Sequence, residues 1–367
     1  MPDKIRVAVL FGGRSCEHEV SVVSARSVVE AIDREKYEVL LVGIDKEGRW
    51  LSSGEAQGLL RSPVVQGDDL LPVVLDYPGN GQLVIDGKGS GQSRRQAIDV
   101  VFPILHGPYG EDGTVQGLLE LAGVAYVGAG VVGSAVGMDK ELSRRAFAAE
   151  GLPQVEYAVV RRRRWEREPA AVQAELEARF SYPVFIKPVN LGSSVGVVKA
   201  HDAAELRAGL SLAAEFDYKI MVEAEAVDCR EVEVAVLGNE DPEASIPGEI
   251  VPGNEFYDYD AKYVDDNSQL IIPARISPAA VERVRRLAVQ AFRSVEAAGL
   301  SRVDFFVSRR DESVLVNEIN TMPGFTPISM YPKLWEATGV PYRELIDRLI
   351  TLALERHADR QRTRASL

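Results

Sequence analysis

The sequence is poor in cysteine and has no long apolar run, and both features exclude classes of protein. Its two cysteines, Cys16 and Cys229, are too few for the disulfide framework of a small secreted domain and indicate a reducing compartment. No apolar run approaches the roughly 20 residues that a membrane-spanning helix needs. The N-terminal apolar run is that of a strand ending in glycine, which does not match a secretory signal. We therefore expect a soluble cytoplasmic protein with no membrane partner.

Positive charge is also scarce. The 42 Lys and Arg residues are outnumbered by 55 Asp and Glu residues, and the formal net charge is -13. Because a nucleic-acid surface needs a basic face, we expect no nucleic-acid partner. We interpret the basic run RRRRWER at 161–167 as a solvated connector. An anionic ligand such as ATP is still allowed where lysines and backbone amides gather locally.

Strands and helices alternate in the first third of the chain. Apolar runs predict strands at Ile5–Phe11, Val39–Ile44 and Ala97–Leu105, and helical periodicity predicts helices at Val22–Ile32 and Thr114–Ala122. This order predicts a parallel α/β domain over residues 1–128, with the Gly-, Ser- and Pro-rich residues 52–96 as a surface excursion. A central unit over 129–223 and a C-terminal unit over 224–367 follow. An NAD-dependent oxidoreductase is disfavoured, because the GG pair after the first strand is not GxGxxG.

A hairpin near the C-terminus carries the strongest chemical signal. Two β-rich runs, 302–307 and 314–319, flank the polar turn SRRDES. If the turn is symmetric, Asp304 lies opposite Glu318 and Arg302 opposite Asn320, although the register could slip by one residue. Two carboxylates and an amide oxygen form the kind of site that Mg²⁺ occupies when it bridges nucleotide phosphates. The alternative is an exposed polar face with a surface ion pair, which the apolar flanking residues disfavour.

A glycine- and serine-rich loop follows another predicted strand in FIKPVNLGSSVGV, residues 185–197. Its backbone N–H groups can bind phosphate oxygens, and Lys187 supplies a positive charge beside them. A plain turn is the alternative, since no Walker A motif is present. Lys140 in GMDKELS is a second candidate for phosphate binding or an ordinary helix-surface lysine. The strand in IMVEAEA could present its backbone to adenine, and Glu223 or Glu231 to ribose or amino groups; a charged edge strand is the alternative.

Polar clusters follow two strands of the first domain. Glu17, His18 and Glu19 come after the first strand and His106 after a later one. Because open α/β sheets bind ligands at the carboxyl edge, we expect a shared crevice there. The polar segment that contains Tyr257, Tyr259, Lys262 and Tyr263 is too long for a simple connection and is predicted to be a lid over residues 252–268.

These parts, taken in order, match one family. The series EHEVS, HGPYGEDGT, MDK, IKP…GSSVG, VE…RE, YDYDAKY, RVDFF and NEINTMPGFT closely resembles the D-alanine–D-alanine ligases of the ATP-grasp superfamily, from Arg6 to about His357. The resemblance implies a three-domain α/β fold, an N-terminal parallel Rossmann-like domain followed by two ATP-grasp subdomains. ATP would lie between the second and third domains. A homodimer is the family expectation.

The resemblance implies a nucleotide site and a metal site. The residues that match the ATP-binding positions are Lys140, Lys187, Ser193, Ser194, Glu223, Ala226, Glu231 and Lys262. The residues that match the site for two Mg²⁺ ions, with Mn²⁺ as a substitute, are Asp304, Glu318 and Asn320, in agreement with the hairpin argument. Two departures from the family pattern lie nearby: Ala224 replaces a lysine of many relatives, and VNLGSS lacks the charged pair that some place before GSS.

The same resemblance implies where the first D-alanine binds. Glu17 matches the residue that holds its ammonium group, and His106 lies beside it. Ser193 and Tyr263 match the partners that form a hydrogen-bonded set with Glu17 and help to close the lid.

The remaining matches concern the reacting groups. Arg302 and the backbone N–H of Gly324 match the groups that stabilise oxyanion charge, and Ser329 and Met330 lie where the carboxylate of the second D-alanine is held. The implied reaction forms an acyl phosphate, which the amine of the second D-alanine attacks to give the dipeptide for peptidoglycan. The alternatives are a D-alanine–D-lactate ligase, disfavoured by Lys262 and Tyr263, another ATP-grasp carboxylate ligase, and a non-catalytic nucleotide-binding regulator.

Overall fold

The structure is a computed structural model that describes residues 4–53, 58–67, 70–77, 81–86, 93–251 and 269–364. The predicted lid, 252–268, lies outside the described residues, and so do Lys262 and Tyr263. Among the described helices none has the length and apolar character that a bilayer crossing requires.

The first domain is built on an eight-stranded sheet in the order β6-β5-β4-β3-β2-β1-β7-β8. Its strands β1, β2 and β7 are parallel, as predicted, and β8 is a further parallel strand. From Val7 onward the inner strand β1 is apolar and buried, because both of its faces are covered. The elements are β1 (Ile5–Gly12), α1 (His18–Ala31), β2 (Tyr37–Ile44), β3 (Trp50–Ser52), β4 (Leu71–Leu75), β5 (Gln82–Ile85), β6 (Arg94–Ala97), β7 (Val100–Ile104), α2 (Thr114–Leu121) and β8 (Ala125–Tyr126).

The predicted surface excursion is partly wrong. Strands β3 to β6, which fall within residues 50–97, pair antiparallel and extend the parallel sheet rather than leaving it. Their inward residues, including Val73, Leu83 and Ile85, are buried in the core beside β1. Each strand is short, and segments rich in Gly and Ser separate the strands, which explains why the sequence pattern understates them.

The central unit is an antiparallel four-stranded sheet covered by helices. The strand order is β11-β10-β12-β9, so β12, which contains Glu223, is an inner strand and not a charged edge strand. The basic run forms a short helix whose one buried residue is Trp165, in agreement with a solvated connector. The elements are α3 (Val131–Met138), α4 (Lys140–Ala149), β9 (Tyr157–Arg161), α5 (Arg162–Arg167), α6 (Pro169–Arg179), β10 (Val184–Pro188), β11 (Val198–Ala200), α7 (Ala203–Phe216) and β12 (Lys219–Ala224).

The C-terminal unit has an antiparallel sheet in the order β16-β15-β13-β17-β18, with β14 paired to β13. Helix α8 covers one face with an apolar stripe that includes Val284, Ala288 and Phe292. The elements are β13 (Cys229–Gly238), β14 (Glu243–Ala244), β15 (Gly248–Val251), β16 (Gln269–Ile271), α8 (Pro278–Ser294), β17 (Gly299–Ser308), β18 (Val314–Asn320), α9 (Met330–Thr338) and α10 (Tyr342–Gln361).

The last two helices connect the C-terminal unit to the first domain. The apolar residues of α9 and α10 share one core with those of β1 and β7. Phe325 packs edge-on against Phe102 with ring centroids 5.8 Å apart, and the Arg356 guanidinium lies 4.4 Å from the centroid of the Tyr126 ring. This packing places the segment after β18 against the carboxyl edge of the first sheet, where the polar clusters were predicted.

Candidate active site

The hairpin β17–β18 has the predicted register. Arg302 pairs with Asn320 and Asp304 with Glu318, and a β-bulge follows Asp304. The flanking residues Val303 and Phe305 are buried, so one face of the hairpin packs on α8 and the polar face is free to line a site. Because Asp304 on the polar face is itself buried, the alternative of an exposed polar face is wrong.

Asp304 is held by two neighbours on this face. The Arg302 guanidinium donates from Nε to Asp304 Oδ1 at 2.7 Å and from Nη2 to Oδ2 at 2.6 Å, and its Nε lies 3.1 Å from Oε2 of Glu233. Burial alone would lower the pKa of Arg302, but the carboxylates of Asp304 and Glu233 raise it well above its ordinary value. Asn320 donates from Nδ2 to Asp304 Oδ2 at 3.2 Å. Arg302 therefore stays a fixed cation beside the acidic pair.

The donor set on the hairpin fits a magnesium ion that is also bound by a nucleotide. Among the described residues, no group of three or more His, Cys, Asp or Glu side chains is arranged to hold a metal ion. Asp304 and Glu318 supply two carboxylates, and both line the same cavity. Mg²⁺ is usually held by one or two carboxylates together with water and phosphate oxygens. A Mg²⁺ ion on this hairpin would therefore need water and phosphate oxygens to complete its ligands.

A cavity of about 370 Å³ lies between the central and C-terminal sheets. It brings together every residue predicted to bind ATP that lies within the described residues. These are Lys140, Lys187, Ser193, Ser194, Glu223, Ala226 and Glu231, with Arg302, Asp304 and Glu318 at one end. Asn320 is not among the residues that line this cavity, but its side chain donates a hydrogen bond to Asp304, which does line it.

Lys140 lies at the start of α4, where Asp139 caps the helix by accepting a hydrogen bond from the Leu142 N–H at 3.0 Å. Its Nζ donates to the Leu191 carbonyl in the glycine loop at 2.7 Å and lies 3.6 Å from Glu318 Oε2. The lysine thus connects the loop to the hairpin, a position that the helix-surface alternative does not explain.

Glu223 is more buried than the sequence pattern suggests, with 2% of its surface exposed. One carboxylate oxygen pairs with Lys187, and the other accepts from Nη2 of Arg144 at 2.7 Å. Burial would raise the pKa of Glu223, but these two cations lower it below its ordinary value. Glu223 therefore holds Lys187 in the cavity wall. The sequence analysis did not identify Arg144 as a site residue. The available signal was its spacing, because a residue one helical turn after Lys140 lies on the same face of α4.

The glycine loop between β10 and β11 has an unusual backbone. Ser193 and Ser194 have φ values of 49° and 57°, and Gly196 has a φ of 71°. Non-glycine residues rarely adopt this left-handed conformation, and such strain concentrates where a backbone must present its N–H groups to a ligand. The predicted phosphate-binding role is favoured over a plain turn.

Glu17 and the loop meet across the boundary of the first domain. The Ser193 hydroxyl donates to Oε1 of Glu17, and Glu17 is 8% exposed. A Cβ atom on Gly192 would lie 3.0 Å from Oε2 of Glu17, and one on Gly107 would lie 3.1 Å from the same atom. The glycines therefore allow two loops to approach the carboxylate closely.

The other members of the first polar cluster have different partners. His18 is buried, contacts the Gly13 carbonyl through Nδ1 at 2.9 Å and accepts from the Val65 N–H through Nε2 at 3.1 Å. Glu19 pairs with Lys46 at 2.7 Å. Only Glu17 of the three faces the glycine loop.

His106 and Glu111 lie in the second polar cluster. His106 Nδ1 is 3.0 Å from the Met322 carbonyl, and burial lowers its pKa against the opposing effect of Glu17. Glu111, which sequence reasoning missed, accepts from the Gly107 N–H at 2.7 Å. Burial and the charge of Glu17 raise the pKa of Glu111 to about 8. The sequence signal for Glu111 was its place between glycines in GPYGEDGT, but the pattern gave no indication that this carboxyl group is buried.

Gly324, Ser329 and Met330 follow β18. A Cβ atom on Gly324 would lie 2.8 Å from Oγ of Ser329, and that oxygen accepts from the Thr326 N–H at 3.0 Å. Met330 is 4% exposed and belongs to the core shared with the first domain. Gly324 and Ser329 are thus adjacent, while the Met330 side chain is a packing residue.

Comparison with known proteins assigns both halves of the chain. Residues 6–129 match the family model "D-ala D-ala ligase N-terminus", and residues 146–351 match "D-ala D-ala ligase C-terminus". A D-alanine–D-alanine ligase from Ruminiclostridium cellulolyticum is 50% identical over 370 residues, and one from Acetivibrio thermocellus is 48% identical over 372 residues. Both alignments cover 98% of this chain and 98% of the relative.

Solved structures agree with this assignment. The D-alanine–D-alanine ligase from Coxiella burnetii superposes with a TM-score of 0.85 at 38% identity, covering 98% of this chain and 96% of that one. The VanG D-Ala:D-Ser ligase from Enterococcus faecalis superposes with a TM-score of 0.83 at 35% identity, covering 96% of this chain and 100% of that one.

Proposed function

Because the chain belongs to the D-alanine–D-alanine ligase family, we propose that it joins two molecules of D-alanine to D-alanyl-D-alanine for peptidoglycan synthesis. ATP is the energy source and becomes ADP and phosphate. The observation that carries the proposal is one continuous site: the cavity with Lys140 and Lys187 has the acidic hairpin at one end, and Ser193 in its wall is bonded to Glu17 of the first domain.

ATP would lie in the cavity between the central and C-terminal sheets. Lys140 and Lys187 would neutralise phosphate charge, and the backbone N–H groups around Ser193 and Ser194 would bind phosphate oxygens. Glu231 and the backbone near Ala226 would contact the nucleoside, while Glu223 would fix Lys187 through the ion pair described above. Lys262, outside the described residues, has its proposed role from the resemblance alone.

Asp304, Glu318 and Asn320 are the residues that would hold Mg²⁺. Two ions, or Mn²⁺ in their place, would offset charge on the phosphates during transfer. Arg302, fixed by Asp304 and Glu233, provides a permanent cation at the same end of the cavity.

The first D-alanine would bind where the two domains meet. The Glu17 carboxylate would hold its ammonium group, with His106 beside it, and the carboxylate of that D-alanine would attack the γ-phosphate in line. The hydrogen bond from Ser193 would keep the carboxylate of Glu17 directed towards this substrate. Tyr263 is proposed as a further partner from the resemblance alone.

The second D-alanine would bind near the segment after β18. Ser329 would hold its carboxylate, with the backbone near Met330, and its amine would attack the acyl phosphate. Arg302 and the Gly324 N–H would stabilise the oxyanion that forms. Because water would hydrolyse an acyl phosphate, the site needs a cover, and residues 252–268 are proposed for it.

Phosphate release tests this function. The purified protein is incubated with ATP, Mg²⁺ and D-alanine, L-alanine, D-alanine plus D-lactate, or D-alanine plus D-serine, and products are identified by mass. Phosphate and the dipeptide with D-alanine alone support the proposal. A requirement for D-lactate or D-serine would assign a different acceptor, and absence of release with every pair would refute ligase activity.

A homodimer in the cytoplasm, where ATP is supplied, is proposed as the working form. Leu121 and Val132 are 64% and 60% exposed, at the end of α2 and the start of α3, and apolar residues so exposed often lie in protein interfaces. Light scattering after size-exclusion chromatography tests the state, with Leu121→Lys expected to shift a dimer toward the monomer. A wild-type monomer at working concentrations would contradict the proposal.

A further inference from the structure

A buried lysine that does not line the nucleotide cavity contacts the residues on both sides of Lys140. Lys219 is the first residue of β12 and is 5% exposed. Its Nζ lies 2.6 Å from Asp139 Oδ2 and 2.9 Å from Glu141 Oε2. These two acidic residues flank Lys140 in the sequence. One lysine therefore holds the helix start on both sides of the residue proposed to bind phosphate.

The backbone of Lys219 makes a second connection to the same place. Its carbonyl accepts from the Val189 N–H at 3.2 Å, and the Val189 carbonyl accepts from the Lys140 N–H at 3.2 Å. Lys140 in turn donates from Nζ to Leu191 in the glycine loop at 2.7 Å. The strand, the helix start and the loop are thus linked through consecutive hydrogen bonds.

Asp217, two residues before Lys219, secures the same end of the loop. Its Oδ2 accepts from the Asn190 backbone at 2.7 Å and from Asn190 Nδ2 at 2.9 Å, and its Oδ1 accepts from the Lys219 N–H at 3.2 Å. The residues that precede Ser193 are therefore attached to the start of β12, which the ion pairs of Lys219 attach to α4.

The charge of Lys219 is maintained by its partners. Burial would lower its pKa, but Asp139 and Glu141 raise it above the ordinary value. Removing the cation would leave two buried carboxylates without their main compensating charge, a strongly unfavourable situation. Glu141 has other partners, Arg145 at 2.6 Å and Arg161 at 3.5 Å, but both of these arginines are more than half exposed.

We propose that Lys219 is a positioning residue of the nucleotide site, which fixes Lys140 and the loop at 189–197 relative to each other without touching ATP. This inference rests on the proposed role of Lys140 in binding ATP. Losing a hydrogen bond to a charged group such as phosphate weakens binding roughly ten- to a hundredfold. The effect of losing Lys219 should therefore appear mainly in the KM for ATP, with a smaller change in the KM for D-alanine, which the loop reaches through Ser193.

The test compares Lys219→Met with Lys219→Arg by steady-state kinetics, with ATP and D-alanine varied separately. Lys219→Met is expected to raise the KM for ATP on the order of tenfold to a hundredfold, with a distinctly smaller rise in the KM for D-alanine. Lys219→Arg restores the cation and should recover most of the affinity for ATP. Arg145→Met, which removes an exposed partner of the same Glu141, is the matched control and should leave both constants unchanged.

A second variant covers the case in which Lys219→Met does not fold. Asp139→Asn retains the shape and the helix cap but removes one partner of Lys219, and it should raise the KM for ATP in the same direction by a smaller factor. Equal changes in the two KM values, or no change in the folded variants, would overturn the inference. Lys140→Ala separates the two proposals. If this variant leaves the KM for ATP unchanged, the assigned nucleotide site is wrong. If Lys140→Ala raises the KM for ATP and the Lys219 variants do not, only the role of Lys219 is refuted.

Discussion

The Ser193 hydroxyl donates a hydrogen bond to the carboxylate of Glu17 across the boundary between the first domain and the central unit. The two residues are 176 positions apart in the chain. The bond attaches the proposed phosphate loop to the residue proposed to hold the first substrate. The Ser193–Glu17 hydrogen bond would therefore align ATP with the first D-alanine.

Ser193→Ala should separate the two binding functions. Removing a hydrogen bond to a charged group costs about 1.5–3 kcal/mol, so kcat/KM for D-alanine is expected to fall roughly ten- to a hundredfold, since about 1.4 kcal/mol corresponds to a factor of ten. The backbone N–H groups of the loop remain, so the KM for ATP should change less. Steady-state kinetics measures both, with Ser211→Ala, on the exposed side of α7, as the control. A larger loss for ATP than for D-alanine would contradict the proposed alignment.

Glu318→Gln should remove the metal site while keeping the fold. The substitution preserves size and deletes one of the two carboxylates on the hairpin face, so turnover is expected to fall by at least about a hundredfold. Thermal unfolding without ligands should be close to wild type, because glutamine keeps the size of the side chain and the contact with Lys140, at 3.6 Å, is longer than a hydrogen bond. The measurement is phosphate release over a Mg²⁺ titration. Glu282→Gln, in an exposed pair on α8, is the control, and wild-type turnover in Glu318→Gln would rule out the metal assignment.

Glu111 should make the protein less stable as the pH rises. Its pKa is raised from 4.5 in the unfolded chain to about 8 in the fold. Between these values the folded state holds more protons than the unfolded state, so this group's contribution to stability is present below pH 4.5 and is lost as the pH rises to about 8. The slope is at most about 1.4 kcal/mol per pH unit.

Glu111→Gln tests this pH dependence. The amide has the size of the protonated carboxyl and does not ionise, so the free energy of unfolding should decline less between pH 5.5 and about 8 than in the wild type. Urea denaturation across this range measures the difference. Parallel curves for the two proteins would show that Glu111 is ionised in the fold.

Gly107→Ala should disturb Glu17 directly. Gly107 has a φ of 74°, and a Cβ atom there would lie 2.7 Å from Ser15 Oγ and 3.1 Å from Glu17 Oε2. Gly123 has a φ of 64° with open space around it, so Gly123→Ala carries the backbone strain alone, about 1–2 kcal/mol. Gly107→Ala is expected to be less stable than Gly123→Ala in chemical denaturation and to raise the KM for D-alanine. An equal KM in the two variants would show that Glu17 tolerates the extra methyl group.

Local pattern was sufficient for the hairpin and for most elements of the fold. The register of Asp304 against Glu318 follows from period-two alternation and a symmetric turn, and both are properties of neighbouring residues. The inner strand β1 and the helix α2 were predicted for the same reason, since their apolar patterns are regular. The strands at 71–97 were understated because each is short and is stabilised only by its neighbours in the sheet.

The resemblance placed residues in the site, but it did not supply their contacts. Lys187 and Glu223 were both predicted as nucleotide ligands, and the fold shows that they pair with each other while Arg144 takes the remaining oxygen. Glu111 received no role, because a carboxyl acquires a pKa near 8 only when distant segments bury it.

Sequence alone was sufficient for the family, for most element types and for proposing most of the residues of the site, and it favoured the hairpin register that the structure shows. Tertiary structure alone decided that Glu17 meets Ser193, that Lys219 lies between Asp139 and Glu141, and that the last helix docks on the first sheet. The reason is physical. Periodicity and turn chemistry act between residues a few positions apart, whereas burial, ion pairing and pKa depend on which remote segments the folded chain brings within a few ångströms.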